Sequence, residues 1–252
     1  TISAQVIDSR FVKISMSKNI DATLCVVING NAQMIAVNGT STSFNLPELD
    51  AGNYNVTVYI IENNRYEFTK AVCPFTVAVK NTSIILNEMV TYYQSEAKFI
   101  VTLIDDEANL LSDKLIEVNI SGKVFSKRTN ENGQVIINVN LTNGQYYVDA
   151  IFGGDKNYYS SRNSSGISVK STIIAVDSQT KTYGSDYTFE LLNIDGNPLK
   201  NILVSYILNN VVYNEITDEG GRVHVKITQR VGIYSLTIEN PVNGESLSKT
   251  IH

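Results

Sequence analysis

The sequence predicts an all-β chain of three tandem Ig-like antiparallel β-sandwich domains. Runs rich in Val, Ile, Thr, Tyr and Phe recur along the chain, as at 99–104 and 135–141. Such alternating or continuous apolar runs, about 8 to 12 residues apart, are typical of strands. Asn-Gly, Asn-Asn and Asp-Gly pairs, which favour tight turns, lie between the runs. Helical spacing and convincing helix caps are both missing from the sequence.

An internal repeat divides the chain. Residues 79–84 match 169–174 at an offset of 90, and residues 129–135 match 217–223 at an offset of 88. Self-similarity at a nearly fixed period indicates copies of one structural unit. Each copy has room for about seven strands, which fits a Greek-key sandwich better than a barrel.

The first eighty residues contain a weaker third copy, because residues 52–56 match 144–148. Its front half is shorter than that of the other copies. We therefore expect a divergent Ig-like domain at 1–80 and two Ig-like repeat domains at 81–170 and 171–252. Because the copies follow one another almost without a linker, end-to-end stacking predicts an elongated rod of about 100 to 120 Å.

Two local patterns of the repeats have a physical reason. The turn Thr-(Asn/Asp)-Glu-x-Gly places Gly133 and Gly221 where the backbone φ is positive, a conformation that glycine adopts freely. The pattern Gly-x-Tyr precedes a strand in each copy. We expect Tyr54, Tyr146 and Tyr234 to be corner residues at the core, with the hydroxyl bonded to the backbone.

Several turn motifs together carry a family resemblance. They are Asp-Gly-Asn-Pro-Leu at 195–199, Thr-Asp-Glu-Gly-Gly at 217–221, and Asn-Gly-Gln-Tyr at 143–146 leading into Phe-Gly-Gly-Asp-Lys-Asn-Tyr at 152–158 and Ser160. The chain resembles the tandem Ig-like repeats of large cell-surface adhesin-like proteins of archaea, above all methanogens, and of bacteria. The resemblance implies an extracellular, cell-attached protein in which these repeats form a stalk or display region. Residues 239–244, Glu-Asn-Pro-Val-Asn-Gly, depart from the Gly-Asp-x-Asn-Tyr loop.

The composition disfavours several classes of function. A net charge of -5 has the wrong sign for binding a phosphate backbone, so we expect no nucleic-acid partner. Two His, two Cys and no Trp leave few groups for histidine catalysis or a soft metal site. His224 should point outward beside Lys226 in an alternating strand, and His252 is the last residue given. We expect a protein without enzymatic activity, catalytic residues or cofactor.

Two further sites have competing interpretations. Asp105, Asp106, Glu107 and Asp155 offer the oxygen ligands that calcium takes, but their spacing matches no known calcium loop, so a solvated acidic turn is favoured and no metal is expected. Cys25 and Cys73 lie in probable strands of the first copy. They form either a disulfide, which would stabilise the domain by about 4 kcal/mol, or a pair of buried free thiols, the favoured alternative.

Six Asn-x-Ser/Thr sequons are candidate glycosylation sites in an exported protein. Their number is close to what the composition gives by chance. Asn163 is the strongest candidate because its neighbours predict a polar loop. The six are Asn38, Asn55, Asn81, Asn119, Asn140 and Asn163.

The leading functional hypothesis is a non-enzymatic stalk or display region of a cell-surface protein that mediates or supports adhesion. In the alternative, the divergent first domain binds a glycan or a protein of another cell through exposed tyrosines or loops. A further alternative is a set of accessory modules of a secreted enzyme. We expect a monomer, and no membrane insertion by these residues, because no apolar run approaches the roughly 18 residues of a membrane helix.

Overall fold

The computed structural model describes residues 1–8, 10–61 and 64–252. Its described residues form strands and turns and no helix, so the chain is all-β. They fall into two compact units, one of residues 1–82 with 153–161 and one of residues 83–152 with 162–252.

The first unit is built on one five-stranded antiparallel sheet. The order is β1-β2-β4-β5, and β3 lies off this path and pairs with β2. Alternate residues of β2 point inward, where Leu24 and Val26 pack in one apolar cluster with Val56 and Val58 of β4. The strands are β1 (Ile2–Ile7), β2 (Phe11–Ile28), β3 (Asn31–Asn45), β4 (Gly52–Ile60) and β5 (Thr69–Val77).

This sheet has five strands where the sequence predicts about seven. The reason is that β2 and β3 each run on through a bend, where their pairing shifts register between Ser15 and Ile20. The first part of β2 pairs with β1, and its last part pairs with β4. The shorter front half of this copy therefore lacks the connections that divide these strands elsewhere in the chain.

The next eight strands form two sheets. One has the order β11-β8-β6 and the other β10-β9-β12-β13-β7. The pairing of β13 with β7 is parallel. The strands are β6 (Thr82–Ile85), β7 (Met89–Tyr92), β8 (Lys98–Asp105), β9 (Leu115–Ile120), β10 (Lys123–Arg128), β11 (Gln134–Asn138), β12 (Gly144–Phe152) and β13 (Ser161–Lys170).

The last seven strands repeat this plan, in sheets of order β14-β15-β18 and β17-β16-β19-β20. Side chains from both sheets, among them Phe189, Val204 and Leu236, form one buried cluster. A three-stranded sheet packed on a larger one with crossed connections is the Greek-key order of Ig-like sandwiches. The strands are β14 (Ile173–Ala175), β15 (Asp186–Leu191), β16 (Leu203–Leu208), β17 (Val211–Ile216), β18 (Arg222–Lys226), β19 (Tyr234–Glu239) and β20 (Ser246–Ile251).

Below, β1–β5 are called the first strand group, β6–β13 the second sandwich and β14–β20 the third sandwich. A two-residue hairpin stands at the same place in all three. It joins β2 to β3 through Asn29 and Gly30, β9 to β10 through Ser121 and Gly122, and β16 to β17 through an Asn-Asn pair at 209–210, all with positive φ. Such turns match the twist of paired strands.

Candidate functional site

The two glycines predicted in the repeated turn have left-handed backbones, with φ of 65° at Gly133 and 74° at Gly221. A Cβ at Gly221 would lie 2.6 Å from the carbonyl oxygen of Leu191, and a Cβ at Gly133 would lie 2.9 Å from that of Leu103. Both distances are too short for a side chain. Each turn therefore needs glycine for its backbone angle and for its close approach to the neighbouring strand.

The second residue of the same turn holds it closed. The side-chain oxygen of Asn130 accepts hydrogen bonds of 2.9 Å from two backbone amides of its turn. In the third sandwich Asp218 accepts two equivalent bonds of 2.8 Å, from Gly220 and Arg222. The bond from the Arg222 amide holds the pKa of Asp218 below its ordinary value of 3.8; desolvation opposes this shift, while Gly220 and His224 add to it.

The three predicted corner tyrosines make the same contact. Each hydroxyl donates to the backbone carbonyl four residues upstream, at 2.9 Å for Tyr54, 2.9 Å for Tyr146 and 2.7 Å for Tyr234. All three rings are half-buried. Each tyrosine thus ties the start of its strand to the preceding turn.

The two cysteines are free thiols that face opposite sides of their sheet. Cys25 lies on β2 between the buried Leu24 and Val26, so its side chain points outward. Cys73 packs against the apolar core of the first strand group. A disulfide needs Cβ atoms about 3.5 to 4.5 Å apart, which this placement does not allow. Both thiols are free, but the expected burial of the pair is not found, because each is only half-buried and Cys25 faces outward while Cys73 faces inward.

Five of the six sequon asparagines are exposed, and Asn119 is half-buried. Asn38 lies in β3 and Asn55 in β4. The polar loop predicted around Asn163 is wrong, because this residue lies inside β13. Its side-chain amide donates a 2.8 Å hydrogen bond to the carbonyl of Ile84, so the nitrogen that would carry a glycan is already engaged.

The acidic residues considered for calcium serve their own turns. Asp105 is buried and accepts bonds from the backbone amides of Glu107 and Asn109, at 3.0 and 2.8 Å. Asp155 accepts bonds from two amides of its own loop. Within the described ranges, no group of three or more His, Cys, Asp or Glu side chains is placed to hold a metal ion.

His224 points outward from β18, as its alternating strand predicts. Its Nε2 lies 3.5 Å from a carboxylate oxygen of Asp218, and its Nδ1 lies 3.3 Å from the hydroxyl of Thr188. Burial raises the pKa of Glu215, the charge of His224 lowers it, and that of Asp186 raises it further. His224 and Asp186 lie on the three-stranded sheet of the third sandwich, and Glu215 lies on β17 of its other sheet.

In the first unit, the loop at 153–161 bonds to the turn before β4. Asn157 donates through its side-chain nitrogen to the carboxylate of Asp50, at 2.8 Å, and accepts from the amide of Ala51 at 2.8 Å. Lys156 lies 2.5 Å from the other oxygen of the same carboxylate, and this ion pair raises the pKa of Lys156. The backbone of Asn157 also accepts a 2.9 Å bond from Lys80. The Gly-Asp-x-Asn-Tyr motif is therefore a contact element as well as a turn.

A second junction joins the second and third sandwiches, both within the second unit. Gly196, in the turn between β15 and β16, packs so closely on the ring of Tyr92 that an added Cβ would overlap it. The side-chain amide of Asn243 donates to the carbonyl of Tyr93 at 3.4 Å. The Asp-Gly-Asn-Pro-Leu motif at 195–199, which contributes to the family resemblance, thus places its glycine at this junction.

A buried polar cluster fixes the chain at this junction. Glu245 is 6% exposed, and its carboxyl group accepts bonds of 2.6 Å from the amide and from the hydroxyl of Thr172, and of 2.7 Å from the Ser171 hydroxyl. The fully buried Asn240 and the half-buried Asn243 each donate to the Thr172 hydroxyl oxygen at 2.9 Å. This cluster, Ser171, Thr172, Asn240, Asn243 and Glu245, is called the junction cluster below.

The sequence motifs do not predict the junction cluster. Residues 239–244 stand out in the sequence only as a departure from the repeat. The available signal was a glutamate directly after a Pro-x-Asn-Gly turn, where the other copy has its Gly-Asp-x-Asn-Tyr loop, and a Ser-Thr pair more than seventy residues earlier. Nothing in a single sequence joins positions so far apart.

The described part of the chain contains no helix with the length and apolar character of a membrane span.

No protein-family model matches the chain, and no curated protein matches its sequence. Solved structures overlap it at low similarity. A structure from a 1.5-MDa bacterial ice-binding adhesin has 13% identity and a TM-score of 0.30, covering 95% of this chain and 88% of that one. The fibronectin(III)-like modules of Clostridium thermocellum CbhA have 15% identity and a TM-score of 0.29, covering 68% and 95%. Three N-terminal domains of the bacteriophage RB49 highly immunogenic outer capsid protein have 12% identity and a TM-score of 0.32, covering 100% and 97%. Scores this low carry no argument about function.

Replacing Asp218 by Asn should remove a pH dependence from the third sandwich. Because the folded-state pKa of Asp218 is lowered, its turn bonds contribute fully above the unfolded-state pKa and are lost as the pH falls through the folded value. We expect the Asp218→Asn chain to lose less stability than the wild type as the pH falls from about 6 to about 3, measured by urea unfolding at a series of pH values on both sides of the ordinary Asp pKa of 3.8. The reciprocal Asn130→Asp change should introduce the same dependence in the second sandwich. Equal pH profiles for all three chains would contradict this role.

Replacing Glu245 by Gln should loosen the junction cluster. An amide has one acceptor oxygen, and its NH2 group would face donors that the carboxyl group now accepts from. We expect a loss of about 1.5 to 3 kcal/mol in the free energy of unfolding, together with faster hydrogen exchange at the Thr172 amide. Glu239→Gln, an exposed change at the end of β19, is the matched control and should leave both quantities unchanged.

Proposed function

We propose that the chain is a non-enzymatic spacer that carries tension in a cell-surface adhesion protein, with domains at 1–80, 81–170 and 171–252. The observation that carries this proposal is the parallel pairing of β7 with β13 in the second sandwich. The strand β13 is the last of that sandwich, and β7 is its second, directly after the short β6. The extracellular, cell-attached setting rests on the resemblance of the turn motifs to adhesin-like repeats of archaea and bacteria.

The geometry of this pairing suits a tensile role. Residues Met89–Tyr92 of β7 lie beside residues 167–170 of β13 in parallel register, and the Tyr93 amide extends the ladder with a 2.9 Å bond to the carbonyl of Lys170. A pull that separates the start of β7 from the end of β13 slides these two parallel strands along each other. All the bonds of the ladder then resist together, whereas strands pulled apart from one end would break their bonds one after another.

The junction cluster supports the same function. The chain leaves β13 at Lys170 and enters β14 at Ile173, and the two residues between are bonded to the buried Glu245. A connection held in this way passes a pull from one sandwich to the next without a slack linker. The packing of Gly196 on Tyr92 adds an apolar contact at the same place.

Removing the Tyr93 donor should weaken the second sandwich under load. We expect Tyr93→Pro to lower the force of the unfolding step that releases residues 81–170, because proline has no N–H to bond Lys170. The measurement is single-molecule force spectroscopy on the whole chain held by its ends. Tyr93→Ala, which removes the ring and keeps the N–H, is the matched control and should unfold at a higher force than the proline variant. Equal forces for the two variants would count against the tensile role of the ladder.

A second candidate function is glycan binding by the outer face of the first strand group. A cross-strand row there runs Met34, Cys25, Tyr59 and Lys70. The ring of Phe68, 56% exposed, lies 5.9 Å from that of Tyr59, and the Lys70 ammonium lies 5.8 Å from the Tyr59 ring. Exposed aromatic rings beside polar groups suit the apolar faces of sugars. This surface favours the first strand group as the recognition element.

If this face binds sugars, the whole chain should give saturable binding on a glycan array, and Phe68→Ala should weaken that binding about tenfold or more. Tyr183→Ala removes a 77% exposed ring from the third sandwich and should leave binding intact. A flat response from the wild-type chain would exclude the glycan hypothesis and leave the spacer proposal standing.

A further inference from the structure

The strand β17 forms an open edge of the third sandwich. Among the described strands it pairs with β16 alone. Its sequence, Val-Val-Tyr-Asn-Glu-Ile, contains no Lys, Arg or Pro. Exposed strand edges of this kind present a row of unpaired N–H and C=O groups, and proteins usually blunt them with lysine, proline or a bulge. This edge carries no lysine, proline or bulge, and its one charge, Glu215, lies on the inner face of the sheet opposite the buried Val204.

The corresponding edge of the second sandwich is protected. The strand β10 stands at the same place in its sheet and carries Lys123, Lys127 and Arg128. Two copies of β10 brought together would set these cations near one another, at a cost in free energy. The second and third sandwiches thus share one architecture, but only the edge strand of the second carries cationic side chains.

The outer face beside the open edge is apolar. Leu203 stands opposite Ile216, and Ile207 stands opposite Val212, with all four side chains between 42% and 63% exposed. Between these two pairs lies a polar one, in which the Ser205 hydroxyl bonds to Asn214 at 2.6 Å. In the second sandwich, the strands at the same place present Glu117 and Arg128 on this face.

We propose that β17 pairs antiparallel with β17 of a second copy of this chain, joining two third sandwiches edge to edge. Residues opposite one another in an antiparallel pair share a face of the sheet, so even-numbered residues of β17 must meet even-numbered ones. The register that sets Val212 opposite Ile216 of the second copy also sets Asn214 opposite Asn214 of the second copy.

That register continues each outer-face row across the two-fold axis. One row runs from Leu203 and Ile216 of one copy to Val212 and Ile207 of the second copy. The polar row runs from Ser205 and Asn214 of one copy to the same two residues of the second copy. Cross-strand pairs of like character stabilise sheets. The single charge of the strand, Glu215, stands opposite Tyr213 of the second copy, so no two like charges face each other. Because the edge is complementary to itself in this register, we infer that its partner is β17 of a second copy of the chain.

The contact is small, which sets its strength. Five residues of each strand, 212–216, pair in this register and span about 17 Å, so the interface falls below the roughly 1,200 Å² of a standard specific one. Each copy also carries a net charge of -5, so the copies repel at low ionic strength. The dimer should therefore be weak and should tighten as salt is raised. Many copies held on one surface would add their contacts.

The test is sedimentation velocity of the 252-residue chain over a range of concentrations and salt. We expect reversible dimerisation that Val212→Lys weakens about tenfold or more, because a lysine would be placed against Ile216 of the second copy. Val124→Lys on β10, 58% exposed, is the matched control and should leave dimerisation unchanged. Circular dichroism checks that each variant is folded. A chain that stays monomeric throughout, or a dimer weakened by Met34→Lys on β3 and not by Val212→Lys, would overturn the proposal.

A cross-link checks the register. In a Cys25→Ser, Cys73→Ser background, Asn214→Cys should give a disulfide-linked dimer on mild oxidation, because opposite residues of an antiparallel pair lie within disulfide reach. Tyr213→Cys, which faces the other side and stands opposite Glu215, should not. A covalent dimer from Tyr213→Cys alone would show another register and overturn the one proposed.

Discussion

The chain crosses from the second sandwich to the third in two residues, and much of the surrounding structure follows from that constraint. Thr172, in this crossing, is fully buried, and a buried backbone amide needs an acceptor. Glu245 supplies that acceptor to Thr172, and the two neighbouring asparagines bond to the hydroxyl of the same threonine. The departure of residues 239–244 from the repeat therefore has a physical reason, since side chains of this loop and of Glu245 satisfy the polar groups of the crossing.

The first unit meets a similar demand with different chemistry. There the loop at 153–161 caps itself through Asp155 and sends Asn157 to the backbone and carboxylate of a neighbouring turn. The carboxylate at that contact, Asp50, is half-exposed and paired with Lys156. An exposed pair of this kind contributes little free energy and weakens with salt. The buried Glu245, by contrast, takes its partners from uncharged groups, so this contact depends less on ionic strength.

Features set by neighbouring residues were predictable from the sequence, and features set by distant pairing were not. The left-handed backbones at Gly133 and Gly221 and the corner bonds of the three tyrosines each depend on a stretch of about five residues, so a motif specifies them. The prediction of a polar loop around Asn163 was wrong because a polar composition is also typical of a strand with a solvent-exposed face. The faces of Cys25 and Cys73 depend on the register of β2 and β5, which no local pattern gives. The short front half of the first copy indicated that it differs from the other two copies. Its length alone does not predict that β2 and β3 continue as long strands in place of two shorter strands each.

The absence of any disulfide sets how far an unfolded segment of the proposed spacer would extend. Neither thiol is bonded, and the second and third sandwiches contain no cysteine, so no covalent loop shortens the unfolded segments. The ninety residues 81–170 would then lengthen to about 300 Å when fully drawn out. In the proposed spacer, an unfolding domain would therefore lengthen the chain by this amount under a sudden pull.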